Sequence, residues 1–87
     1  MTMIKLAGTL LFEPLDQEWA VYHRETRETH VVDGLGAALL QFLQGAPRSR
    51  DELAMHLVAS QPGVQVEEAA HYIDDLLEHW HGSGLVA

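Results

Sequence analysis

The sequence predicts an α+β fold: an N-terminal three-stranded antiparallel sheet followed by three helices, in a winged-helix-like arrangement. Three observations carry this reading. Residues 9–32 hold three short runs rich in aromatic and β-branched side chains, separated by gaps of turn length. From Asp33 onward the apolar spacing changes from that of strands to that of helices. Caps and breakers then cut this second part into three pieces.

The first strand runs Thr9-Leu10-Leu11-Phe12-Glu13 and stops at Pro14, since proline cannot donate to a ladder and sits at a strand end or edge. Trp19-Ala20-Val21-Tyr22-His23 is the second strand and Thr29-His30-Val31-Val32 the third. The segment Arg24-Glu25-Thr26-Arg27-Glu28 between them contains no Gly or Asn, so a loop of four or five residues is expected rather than a two-residue primed turn. Pairing Arg24 with Thr29 would set His23 opposite His30, Tyr22 opposite Val31 and Val21 opposite Val32, and two facing imidazoles would repel once protonated.

Asp33 can cap the first helix, whose Leu35, Ala38, Leu39, Phe42 and Leu43 share one side before Gly45 and Pro47 end it. Ser49-Arg50-Asp51-Glu52 reads as a capping box, in which the Ser49 hydroxyl and Glu52 carboxylate each satisfy a free backbone N–H. Leu53, Leu57 and Val58 line the second helix, and Gln61-Pro62-Gly63 stops it. In the third helix Ala69, Tyr72, Ile73, Leu76, Leu77 and Trp80 fall at i, i+3, i+4, i+7, i+8 and i+11. Glu67 and Glu68 complement the dipole of its first turn, Gly82 and Gly84 end it, and Leu85-Val86 packs back or adds a short extended tail.

A chain of 87 residues is expected to form one domain, residues 1–87, with a flexible lead-in at residues 1–7. Such a chain buries roughly 60–65% of the surface its unfolded form exposes, which gives one modest core and little room for a deep catalytic cavity. Thirteen acidic side chains against five Lys and Arg give a net charge of −8, the reverse of what phosphates or anionic membranes attract. Nucleic acid and membrane are therefore not expected partners. The absence of cysteine removes disulfides, thiolate metal sites and a cysteine nucleophile together. With no apolar run long enough for a span or a secretion signal, the expected compartment is the cytoplasm.

The chemistry-bearing clusters read as surface. His71, Asp75 and His79 recur at i, i+4 and i+8, but one helical stripe does not converge three or four ligands on a metal. Asp74, Asp75 and Glu78 sit on the wet side of the same helix with no pocket to tune them as acid or base. Asp33-Gly34-Leu35-Gly36 is only a G-x-G at a helix start, and reads as a tight strand-to-helix corner rather than a phosphate loop. Catalysis, cofactor and metal are not expected. An edge strand beside a helix, by contrast, can accept an extended peptide by strand addition.

The order of these pieces resembles the PqqD family, also called precursor-peptide recognition elements of ribosomally made, modified peptides. The resemblance covers about residues 10–86. It rests on Trp19-Ala20-Val21-Tyr22-His23, on Thr26-Arg27-Glu28-Thr29-His30-Val31-Val32-Asp33, on Ala37-Ala38-Leu39-Leu40-Gln41-Phe42-Leu43-Gln44-Gly45, on Ser49-Arg50-Asp51-Glu52-Leu53-Ala54 and on Gly84-Leu85-Val86. The Tyr22-His23 and Thr29-His30 pieces look closest to the branch encoded beside kinases related to the HPr kinase. One departure is Arg27, where the family usually has a glycine in the hairpin turn.

The resemblance implies a non-catalytic peptide chaperone that binds the leader of a precursor peptide and presents it to a modifying enzyme from the same gene cluster. The leader would lie as an added strand between the third strand and the third helix. On this chain the implied peptide-binding residues are Thr29, His30, Val31 and Val32 on the strand, with Tyr72, Asp75, Leu76 and His79 on the helix. An edge that can also pair with itself makes a monomer or a homodimer the expected state. Two rivals fit the helix order or the edge alone: a winged-helix DNA-binding regulator, which the charge opposes, and a generic protein-docking module.

Overall fold

The computed structural model describes residues 3–87. Its element order is β1 (Met3–Ile4), β2 (Leu10–Pro14), β3 (Glu18–His23), β4 (Thr29–Asp33), α1 (Gly34–Gly45), β5 (Arg48–Ser49), α2 (Arg50–Ser60) and α3 (Val66–Ser83). Strands β2, β3 and β4 form the expected three-stranded antiparallel sheet, with β3 in the middle. Three helices follow it, as the apolar spacing predicts.

The hairpin register differs from expectation. Tyr22 pairs with Thr29, Val21 with His30, Ala20 with Val31 and Trp19 with Val32, a shift of two residues. The loop closes one pair earlier because His23 N–H donates to the Glu28 carbonyl and Arg27 N–H donates back to the His23 carbonyl. Arg24 is not available to β4, since its N–H donates to the Thr9 carbonyl on the other side. His23 and His30 are thus not opposite each other: His23 faces Leu10 and His30 faces Val21. An even shift leaves every side chain on its original face, so the pattern of inward and outward residues survives. Closing the loop this way requires Arg27 at φ 64°, a left-handed conformation that glycine takes without penalty.

The helix signals act as read. Asp33 Oδ1 accepts from Gly36 N–H at 2.7 Å and caps α1. Ser49 and Glu52 make both bonds of the capping box on α2, at 3.1 and 2.9 Å. At the end of α3, Gly84 turns left-handed at φ 77°, and Leu85 N–H donates to the Trp80 carbonyl. Gly82 stays inside the helix rather than ending it. The left-handed cap aims Leu85 and Val86 back into the core, where both are buried.

One core joins the layers. Leu10 and Val21 from the sheet meet Leu39, Leu40 and Leu43 of α1, Leu53 and Leu57 of α2, and Ile73 and Trp80 of α3. Trp80 is 1% exposed, and truncating it to alanine would cost about 3–5 kcal/mol. Two small pairings escaped the sequence reading. Met3–Ile4 pairs with Arg48–Ser49, and Leu6 bridges Val86, so residues 3–7 are paired where a flexible lead-in was expected. Met1 and Thr2, the start of that lead-in, lie outside the described residues. Arg50 donates to both carboxylate oxygens of Asp74, Nη2 to Oδ2 at 2.7 Å, and ties α2 to α3. Among the described residues no helix is long and apolar enough to cross a membrane.

Candidate functional site

The sheet has two edges, β2 and β4, and hydrogen-bond alternation decides what each offers. On β4, the bond from His23 to Glu28 fixes the phase. His30 and Val32 turn their backbone groups inward to β3, and Thr29 and Val31 turn theirs outward. On β2, the bonds Arg24 to Thr9 and Leu15 to Glu18 fix the opposite edge, where Leu10, Phe12 and Pro14 face outward. The Leu10 carbonyl is already taken by Gln44 Nε2 at 2.9 Å, and Pro14 has no N–H to give. The β2 edge is blunted; the β4 edge keeps consecutive outward donors and acceptors at Thr29 and Val31.

The side chains of β4 alternate accordingly. Thr29 and Val31 are exposed, Val31 at 56%, while His30 and Val32 are half-buried on the core side. The buried Nε2 of His30 has no hydrogen-bond partner, a cost that makes this wall polar as well as apolar. The facing wall comes from α3. Ala69, Ile73 and Trp80 are spent in the core, which leaves a stripe of half-buried Tyr72 and Leu76 beside exposed Asp75 and His79. These four fall at i, i+3, i+4 and i+7 and so share one side of the helix.

The two walls meet where β4 ends. Val32 and Trp80 flank Gly36 so closely that a Cβ there would lie 3.5 Å from Val32 and 3.9 Å from Trp80. Val32, Leu35, Tyr72 and Leu76 all pack on the same core. Burial, and then the charge of Asp33 at the strand end, push the Tyr72 phenol above its ordinary value. Thr29 lies at the other end of the strand and borders a concavity on the outer sheet face instead.

The structure also revises and extends the residue set. Asp74 is committed to Arg50, which holds its carboxyl below the usual range, so of the neighbouring acids Asp75 and Glu78 are the ones left for a basic ligand. A cavity of about 230 Å³ lies beside Tyr72, lined by Leu35, Leu57, Gln61, Val64, Glu68 and Tyr72. Sequence reasoning missed Val64 and Glu68 here; Glu68 lies one turn before Tyr72 on α3, whereas Val64 precedes the helix and carries no periodic signal. Among the described residues no group of three or more His, Asp or Glu side chains is placed to hold a metal ion.

The family model for coenzyme PQQ synthesis protein D (PqqD) matches residues 18–86. Among curated proteins none matches the sequence significantly. Among solved structures, TbiB1 in complex with the TbiA(beta) leader peptide superposes with a TM-score of 0.76 at 17% identity, over 94% of this chain and 93% of that one. A lasso peptide synthetase B1 complexed with the leader peptide gives 0.71 at 18% identity, over 97% and 96%. At these identities the likeness speaks to the fold.

Proposed function

The chain belongs to the PqqD family, and on that premise we propose that it is a non-catalytic peptide-binding domain of the cytoplasm. It takes the leader segment of a ribosomally made precursor peptide as a fourth strand on β4 and presents it to a modifying enzyme. The observation that carries this reading is the asymmetry of the sheet: β4 keeps outward donors and acceptors at both Thr29 and Val31, while β2 keeps a complete pair only at Phe12, with Gln44 on the Leu10 carbonyl and no N–H on Pro14. The two solved structures similar in fold are complexes with leader peptides, which supports the same reading.

Strand addition supplies backbone hydrogen bonds worth about 0.5–1.5 kcal/mol each net. Apolar leader side chains on the inner side enter the groove beside Val32, Tyr72 and Leu76, and a basic residue pairs with Asp75 or Glu78. Ordering a flexible peptide offsets part of this gain, so the expected affinity is roughly micromolar, about −8 kcal/mol. The net charge of −8 keeps duplex DNA away from the same surface.

The test is calorimetric titration with the leader segment of a short peptide encoded beside this chain. Saturable binding that weakens severalfold on Asp75→Lys supports the proposal. Absence of binding to every neighbouring leader, from a folded domain, overturns it.

A further inference from the structure

The outer face of the sheet is unusual for a surface turned to water. Its side chains form cross-strand rows: Leu11, Tyr22 and Thr29 in one, Glu13, Ala20 and Val31 in the next, then Glu18 with Asp33. Leu11 and Val31 are 55% and 56% exposed, and the small Ala20 leaves a dent between them. A concavity of about 510 Å³ opens there, lined by Leu11, Phe12, Glu13, Ala20, Tyr22 and Thr29. Every charge in these rows is negative: Glu13, Glu18 and Asp33.

We propose that this face is a second recognition surface, and that its occupant is the outward-pointing half of the same peptide strand. The inference rests on the proposed addition of a peptide to β4. A strand on that edge must alternate its side chains between the two faces of the sheet. Residues next to His30 and Val32 drop toward the α3 groove. Those next to Thr29 and Val31 stand on the outer face, where the existing rows simply gain a fourth member. A long side chain beside Thr29 can lean across this small residue onto the Tyr22 ring, and one beside Val31 covers an apolar surface otherwise left wet. Asp33 and Glu18 at one end of this face select against Asp and Glu at the outward position beside them and in favour of Lys or Arg there. The ligand class is therefore an extended peptide that is apolar on both faces over a few consecutive residues and basic at the end beside Asp33. A peptide read by the groove alone needs apolar residues only at every second position.

The probe is a displayed library of random twelve-residue peptides, selected in parallel on the native domain, on Val31→Pro, and on the double variant Tyr22→Thr with Val31→Thr. The double variant keeps β-branched side chains in the strands but removes the apolar outer rows. The native domain should enrich apolar residues at consecutive positions with a basic residue at one end. The double variant should keep the every-second-position enrichment, lose the intervening one, and bind the native-selected peptides about tenfold more weakly. Random outward positions on the native domain, or outward enrichment unchanged in the double variant, overturns the two-faced reading while leaving strand addition standing. Enrichment that survives Val31→Pro, or no enrichment on any form, removes strand addition on β4 itself and this inference with it.

Discussion

The two edges of the sheet, β2 and β4, are strands of equal length that end in different states. Both pair with β3 in antiparallel register. On β2, Gln44 reaches from α1 to occupy the Leu10 carbonyl, and Pro14 deletes a donor. On β4, the outward groups of Thr29 and Val31 are left free, and a helix with a half-buried apolar stripe stands alongside. Natural sheets normally close their edges against unwanted pairing. On the proposed function, blunting one edge and leaving the other open directs strand addition to a single side.

Proline substitution sharpens that contrast most. Val31 turns its N–H outward, so Val31→Pro removes a donor for the added strand without breaking the β3–β4 ladder. Leader binding should fall by at least about tenfold to a hundredfold while the domain stays folded. His30→Pro, one residue away, removes a ladder bond and leaves a buried Val21 carbonyl unpaired. It should cost stability, about 1–3 kcal/mol, measured by denaturant unfolding. Equal effects from the two prolines would break the comparison.

The blunted edge can be opened in turn. Gln44→Ala frees the Leu10 carbonyl, and should lower stability by about 0.5–1.5 kcal/mol without affecting leader affinity. A gain of leader affinity instead would place the peptide on β2.

The turn that leads into the open edge carries a smaller effect. Arg27 holds φ 64° at a cost of about 1–2 kcal/mol, against about 0.4–1 kcal/mol that glycine loses through the freedom it adds to the unfolded chain. Arg27→Gly should therefore raise stability by about 0.5–1 kcal/mol, read as a higher denaturation midpoint with an unchanged slope.

The smallest effect concerns the tether that holds the groove's helical wall. Arg50 depresses the Asp74 carboxyl below its ordinary 3.8, so the folded state releases that proton more readily than the unfolded chain. The contribution is complete above the ordinary value and is lost as pH falls below it toward the folded value. An Asp74→Asn variant should show a flatter decline of stability with acid across that range. Exposure and salt keep the effect small.

Much of this architecture was legible in the sequence. Asp33, Ser49-Glu52 and Gly84 announced helix ends because each satisfies a specific set of free backbone groups. The third helix was readable from its period, and the strand residues from their type. The register was not, because the loop closes through an arginine in a glycine's conformation, and no residue preference signals that. The β1–β5 pairing was equally hidden: two-residue strands at distant positions leave no periodicity. Of the proposed site, Thr29 to Val32 could be read as a strand and the α3 stripe as one helix face from residue type and period alone. The role of Gln44 in blunting the rival edge, and the loss of Asp74 to Arg50, depend on contacts between segments 34 and 24 residues apart.

The most direct test of strand addition on β4 is amide hydrogen exchange of the domain with and without the leader segment. His30 and Val32 are bonded to β3 in either state, so their protection should change little. Thr29 and Val31 should pass from fast exchange to protected when the leader binds. Protection appearing at Phe12 on β2, or unchanged exchange at Thr29 and Val31 under saturating leader, would contradict the account.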